Sequence, residues 1–319
     1  MDKKIKLGTS ELHIAPIIFG GNVFGWTLDE QASFRILDQF VDLGFDAIDT
    51  ANNYSHWVPG NVGGESETII GNWLAQRGGR DKVIVMTKVG GRFGYENQPN
   101  VKADYIKEQV EHSLRRLRTD YIDLYQTHYD VEATPVEETL RAYDDLIRQG
   151  KVRFIGTSNM SPERITESLA VSAQNNLPAY VSLQPEYNLF DREKYENLYR
   201  DLVMDKNLAV IPYYALASGF LSGKYTKDSD FERHARGSGI KKKYWNDRGR
   251  NIVSALEKVA NNHQVSLSAV ALAWLLAQES ITAPIASGTK ENHLQAFVEA
   301  AHLQLSSEEL QELNEASSY

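Results

Sequence analysis

Asp46-Ala47-Ile48-Asp49-Thr50-Ala51-Asn52-Asn53-Tyr54 reads as the end of a buried strand. An apolar run after Gly44-Phe45 gives way to a carboxylate, and a tyrosine follows five residues later. A charge where a buried strand stops is costly unless a cation pairs with it. In isolation the stretch also has a plain reading, with Asp49 capping the next turn and Tyr54 packed at the surface. What supplies the cation decides between the two.

Downstream, Val83 to Lys88 is a second buried run, ending in a lysine, and Tyr121 to His128 is a third, ending in a histidine. Helical spacing of Val110, Leu114 and Leu117 marks a helix from about Ala103 to Leu117, and another lies at about Glu65 to Gln76. Upstream, Lys6 to Leu12 reads as a hairpin turning at Gly8 to Ser10, and Ile17-Ile18-Phe19 as a strand stopping at Gly20-Gly21. Thr27 to Glu30 has capping-box spacing for a helix to about Leu43, and Thr134-Pro135-Val136-Glu137 for one stopping at Gly150.

The alternation continues. Phe154 to Thr157 ends in Ser158-Asn159, with Ser161-Pro162 opening a helix; Val181 to Leu183 ends in Gln184, with a helix at about Glu193 to Met204. Ala209 to Ile211 ends in Pro212-Tyr213. After a long polar loop and two helices, Thr282 to Ala286 ends in Ser287, and helices from about Glu291 and Ser306 close the chain. Strands alternating with helices imply parallel β-α-β units. Eight of them suit one closed (β/α)8 barrel over residues 1–319, an α/β fold with an N-terminal β-hairpin and extra C-terminal helices. A doubly wound open sheet would usually carry G-x-G-x-x-G after an early strand, and none stands in that context.

Composition narrows the function. Hydrophobic residues make up 42% and charged residues 24%, ordinary for a globular chain. A formal charge of −9 argues against nucleic acid and acidic membranes as partners, and the lack of cysteine excludes thiol chemistry. No apolar run approaches membrane-spanning length and the start lacks an apolar signal core, so a cytoplasmic protein is expected.

In such barrels the working groups sit at the C-terminal ends of the strands. Here these are Asp49, Lys88, His128, Ser158-Asn159, Gln184, Tyr213 and Ser287, with Tyr54 just beyond strand two. A lysine beside a tyrosine favours the phenolate and lowers its pKa, and an aspartate paired to that lysine keeps it charged. A histidine in the same pocket can donate to a carbonyl oxygen. Carbonyl reduction fits this set, with a nicotinamide cofactor supplying hydride. A metal-dependent barrel needs several converging ligands, and the strand ends offer only Asp49 and His128 with Lys88 between them, so no metal is expected.

At this point the chain resembles the aldo-keto reductases, through IDTANNY, VMTKVG and YQTHYD, from about Lys6 to Leu313. The resemblance implies that Tyr54 is the general acid, tuned by Lys88 and Asp49, with His128 orienting the carbonyl. It implies that Ser158, Asn159 and Gln184, in GTSN and LQPEYN, hold the nicotinamide amide, and that Tyr213 stacks on its face. Leu216, Ser218 and Lys224 match pyrophosphate-contacting positions; Gly21 and Asn22 join the cofactor set. The segment from Ser287 resembles the adenosine-phosphate region, where Thr289 and Lys290 stand at the 2′-phosphate and favour NADP(H). His293, Ala296 and Phe297 depart from the usual residues, so His293 or Phe297 is expected against the adenine. LASGFLSGKY resembles the branch that includes potassium-channel β subunits, which leaves a cofactor-binding regulatory protein as the alternative.

Substrate contacts are expected from Asn22, Phe24, Tyr129 and the insertion Ser55 to Gly64, with His56 and Trp57; a solvent-facing loop is the rival reading of that insertion. The segment Lys224 to Arg250 reads as a lid over the cofactor, with Arg233 or Arg236 near phosphate, or as a solvated loop. Apolar outer helix faces serve the barrel or a subunit contact equally.

Overall fold

The computed structural model describes residues 4–92, 98–233 and 237–319. Strands β1 (Ile5–Lys6) and β2 (His13–Ile14) pair antiparallel as the expected hairpin. Eight parallel strands follow: β3 (Ile18–Gly20), β4 (Ala47–Asp49), β5 (Ile84–Val89), β6 (Ile122–Thr127), β7 (Val152–Ser158), β8 (Tyr180–Gln184), β9 (Ala209–Val210) and β10 (Ile285–Ala286). They run in the order β10-β3-β4-β5-β6-β7-β8-β9. Backbone bonds from Thr282 and Ala283 N–H to the Val210 carbonyl (2.9 and 3.3 Å) and from Ile285 to Pro212 (2.9 Å) close the ring. This is the (β/α)8 barrel expected.

Helices α1 (Glu30–Asp42), α2 (Glu65–Arg77), α3 (Ala103–Leu117), α4 (Val136–Arg148), α5 (Pro162–Asn175) and the pair α6 (Glu193–Leu198) and α7 (Arg200–Asp205) cover the outside. They are followed by α8 (Gly237–Tyr244), α9 (Asp247–His263), α10 (Leu267–Leu276), α11 (Glu291–His302) and α12 (Ser307–Ala316). Among the described residues no helix is long and apolar enough to cross a membrane.

Register and alternation place the site. Ala47, Met86 and Leu124 belong to one inner apolar layer, and Asp49, Lys88 and Gln126 lie two residues further along the same strands. Side chains at i and i+2 share a face, so the polar residues project into the barrel directly above the apolar plug. Residues between them, Ile48, Thr87 and Tyr125, face the helices. Leu7, Leu12 and Ile14 of the hairpin join the inner layer from below and seal that end.

Some local expectations fail for identifiable reasons. Helix α1 is capped by Asp29, whose carboxylate accepts the Ala32 N–H at 2.8 Å; Thr27 lies too far back. No side chain caps α4, where Pro135 rather than Thr134 holds the N-cap position. The helix at Glu193 to Met204 breaks at Tyr199. Among the described residues of 224–250 there are a 3₁₀ segment Asp228–Arg233, then α8 and the start of α9, so three α-helices rather than two stand between that stretch and β10.

Candidate active site

The cation that Asp49 requires is Lys88. Its ammonium is fully buried and donates to Asp49 Oδ2 (2.6 Å), the Thr50 carbonyl (2.7 Å) and the Tyr54 hydroxyl (2.9 Å). An ammonium has three protons, and all three are placed. The other Asp49 oxygen accepts from the amides of Gln184 (2.9 Å) and Gln126 (3.1 Å), so both carboxylate oxygens are satisfied. Because the phenol oxygen already accepts from Lys88, its own proton is left to point elsewhere.

The electrostatics differ in one respect from expectation. Burial, then the charge of Asp49, then the neighbouring phenols Tyr214, Tyr129 and Tyr213 push the Tyr54 pKa well above 10. Burial also pulls Lys88 down, against the opposing pull of Asp49. Desolvation thus outweighs the ammonium's effect on the phenol, and Tyr54 is held protonated rather than loosened. His128 follows β6 with its ring 6.1 Å from that of Tyr54. Burial, Lys88 and His56 push its pKa well below 6.5, so the imidazole is neutral and carries a single N–H.

Ser158, Asn159, Gln184 and Tyr213 come together beside it. Ser158 Oγ donates to the Gln184 carbonyl (2.8 Å), and Asn159 Nδ2 donates to Ser158 Oγ and to the His128 carbonyl (3.0 Å each). The Tyr213 hydroxyl donates to Asn159 Oδ1 at 3.2 Å. Asn159 adopts φ +46, a left-handed turn that asparagine tolerates. The Gln184 amide nitrogen donates to Asp49 and to Gln126 Oε1 (3.1 Å), which leaves its carbonyl oxygen as the group turned to other partners.

Basic groups gather at the far end. Ser218 lies in a left-handed turn beyond Leu216, and Lys224 folds back until its Nζ would stand 3.2 Å from a Cβ on Gly219. Burial, then Lys290 and Lys224, lower the pKa of His293, so both cations act on that ring. Thr289 N–H donates to His293 Nδ1 at 3.2 Å, so this nitrogen serves the loop itself. Thr289 and Lys290 line a cleft of about 350 Å³ with Arg35 and Asn292. At the start of that segment Ser287 Oγ lies 2.7 Å from the Gly20 carbonyl and 2.8 Å from Asn22 Oδ1, beside Gly21.

Two expected contacts are corrected. Phe24 is fully buried and stacked on Phe19 (5.3 Å), inside the core rather than at the mouth. Phe297 is buried among Phe19, Phe40 and Phe45, so it does not reach an adenine ring. Trp57 and Tyr129 do stand at the rim, 42% and 40% exposed, with Trp57 edge-on to Tyr54 (6.2 Å) and Tyr129 stacked on His128 (4.9 Å). The insertion is strapped down: Ser55 Oγ donates to the Phe24 carbonyl, and Asn61 donates to the carbonyls of Gly25 and Ser55. Trp26, packed on Trp57 (5.5 Å), Tyr214 and Gln126 belong to the site although the sequence reading passed over them. For Gln126 a signal existed, its place two residues before His128 on an inward-facing register.

The segment expected as a lid is tied across the barrel top, with Lys243 2.7 Å from Glu186 and 2.8 Å from Asp191, and Tyr244 donating to Asp191 (2.9 Å). Arg236 and the side chain of Arg233 lie outside the described residues.

Known proteins resemble the chain over nearly its whole length. An uncharacterized oxidoreductase, YrpG, of Bacillus subtilis (strain 168) is 34% identical over 97% of this chain and 94% of its own. An aryl-alcohol dehydrogenase [NADP(+)] of Phanerodontia chrysosporium is 31% identical, covering 95% and 83%. A probable voltage-gated potassium channel subunit beta of Oryza sativa subsp. japonica is 32% identical, covering 90% and 88%. With a family model also matching residues 16–318, the chain belongs to the aldo/keto reductase family.

Proposed function

We propose that the protein is an NADP(H)-dependent oxidoreductase that reduces aldehyde or ketone carbonyls of small molecules to alcohols. The observation that carries this reading is the buried Asp49–Lys88–Tyr54 chain, which leaves a protonated phenol facing an open mouth beside a neutral imidazole. A bound nicotinamide supplies the hydride. Tyr54 donates its proton to the carbonyl oxygen as negative charge grows there, and the phenolate left behind is stabilised by Lys88 at 2.9 Å. His128 donates its N–H to the same oxygen and fixes the orientation of the carbonyl. These donors are in place beforehand, so little reorganisation is needed at the moment of reaction.

Ser158 and Asn159 fit a carboxamide, offering a hydroxyl and an amide held rigid against the His128 backbone. Tyr213 supplies a flat face next to them. Gln184 acts here mainly by holding Asp49. Lys224, Thr289 and Lys290 supply the positive charge and donors that a phosphorylated dinucleotide requires, and the NADP(+)-named fungal relative supports that cofactor.

A second reading, a cofactor-binding regulatory protein with slow turnover, is favoured by the similarity to the plant channel subunit. A panel of aldehydes and ketones assayed by loss of NADPH absorbance separates the two. Turnover near or above about 1 s⁻¹, the ordinary range for enzymes, is expected with at least one carbonyl. Tight NADPH binding without turnover on the whole panel would favour the regulatory reading.

A further inference from the structure

Glu67 is a fully buried carboxylate that the proton-handling above does not use. It sits in the first turn of α2, behind the barrel wall. Thr87 Oγ1 donates to Glu67 Oε1 at 2.6 Å, and Arg116 Nε, from α3, donates to Glu67 Oε2 at 2.7 Å. Thr87 and Lys88 are consecutive in β5, so their side chains leave on opposite faces. One points out to Glu67 and the other in to Asp49 and Tyr54.

The preceding residue makes the matching connection. Ser66 Oγ lies 2.7 Å from Thr50 Oγ1 and donates to the Gly21 carbonyl at 2.7 Å. The carbonyl of Thr50 is one of the three acceptors of the Lys88 ammonium. Residues 66 and 67 therefore grip from outside the two strand ends that hold Lys88 from inside. Arg116 also crosses Gly64, where φ is +87 and a Cβ would meet the guanidinium at 2.5 Å. Gly64 ends the loop that begins at Tyr54, so one guanidinium touches both the buried carboxylate and the far end of the tyrosine's loop.

We propose that Glu67, held by Arg116, is a positioning residue for Lys88, fixing the end of β5 through Thr87 and placing a second buried negative charge behind the ammonium. A merely structural clamp at this place could be apolar, since an ion pair of this burial carries a desolvation cost that often matches or exceeds its attraction. The groups that face Lys88 inside the barrel are Asp49 from β4, Tyr54 from the following loop and His128 from the end of β6, while Glu67 of α2 acts on it from the outer face of β5, with Arg116 beside it. Of these, Asp49 first and Glu67 after it oppose the effect of burial on the lysine.

The kinetic part of this inference rests on the proposed reductase activity; the titration part does not. In full-length protein carrying ¹³Cε-lysine, the Lys88 resonance is assigned by its loss in Lys88→Met. Glu67→Gln is expected to keep NADPH binding and the carbonyl KM within about twofold, to lower kcat about tenfold, and to shift both the Lys88 titration and the alkaline limb of kcat to lower pH. Glu67→Asp should return the titration toward its original position. A folded Glu67→Gln in which Lys88 titrates as before overturns the proposal, because loss of a structural contact alone leaves the ammonium's titration in place. If Glu67→Gln fails to fold, Thr87→Val keeps the charge and removes the bond to the strand: kcat lower by about threefold or more supports the positioning role, and unchanged kcat rejects it. A wild-type protein that reduces no carbonyl counts against the reductase reading, while the titration still decides the role of Glu67.

Discussion

Lys88 uses its three protons on Asp49, the Thr50 carbonyl and Tyr54, and this fixes what each neighbour can do. Tyr54→Phe removes the proton donor and one acceptor of the Lys88 ammonium, so carbonyl reduction should fall by about 10² to 10⁴ while NADPH binding by fluorescence titration changes less than about twofold. Full activity in that variant removes Tyr54 from the role given to it. Lys88→Met leaves Asp49 buried and without its cation; a loss of about 3–5 kcal/mol is expected in urea denaturation. His128 bears on pH. Its folded pKa lies well below 6.5 and the unfolded chain takes up a proton near 6.5, so the unfolded state binds more protons below that value. Stability should therefore fall as pH drops below about 6.5, by up to about 1.4 kcal/mol per unit. The slope should shrink in His128→Gln, measured by thermal unfolding between pH 7 and 5. Asp49, Lys88 and His128 are legible in the sequence because each closes an apolar run, and Tyr54 because it follows the first of these by five residues. Phe24, near a strand end, and Phe297, on a helix, differ from expectation because local sequence does not show whether an aromatic faces the core or the cofactor side. The pKa of Tyr54 was missed in direction because sequence adjacency shows the ammonium and hides the burial.

Among elements, the barrel strands were easy to find because strands buried on both faces are continuously apolar. Their termini coincide with the polar residues that the register then gathers. The segment from 224 to 250 was opaque for the opposite reason. Its described residues are held by Lys243 reaching Glu186 and Asp191, by Trp245 donating to Asp228 and by Arg248 donating to the carbonyls of Ser317 and Ser318. Every one of these partners except Asp228 lies outside the segment, and local composition shows only mixed charge. The insertion between Tyr54 and α2 was ambiguous in the same way until Ser55 and Asn61 were found bonded to the loop carrying Trp26. Asn61→Ala removes one hydrogen bond that joins the two loops, to the Gly25 carbonyl, and one that braces the insertion internally, to the Ser55 carbonyl. It should lower stability by about 1–2 kcal/mol and raise KM for carbonyl substrates, with kcat largely kept because the Asp49–Lys88–Tyr54 chain is untouched. An unchanged KM would show that Trp57 does not contribute to the substrate wall.

At the scale of the molecule the barrel has a dry end and a chemical end. The hairpin closes the dry end, with Gly8 at φ +57 so near the Val181 carbonyl that any side chain would clash. Leu12→Ala in this plug should cost about 2–5 kcal/mol in chemical denaturation and leave kcat alone, since the inner apolar layer separates it from Lys88. The chemical end couples to stability through its ligand. A dinucleotide that binds only the folded chain stabilises it by about 2.7 kcal/mol at a hundred times its dissociation constant. The cations at the start of α11 and on Lys224 should make that gain larger for NADPH than for NADH at equal concentration, because only NADPH carries the 2′-phosphate. Lys290→Ala should therefore reduce the rise in melting temperature given by NADPH and leave that given by NADH nearly unchanged. An equal loss with both cofactors would move Lys290 away from the 2′-phosphate and leave the preference to Lys224 and Thr289, which the same measurement on Lys224→Ala then tests.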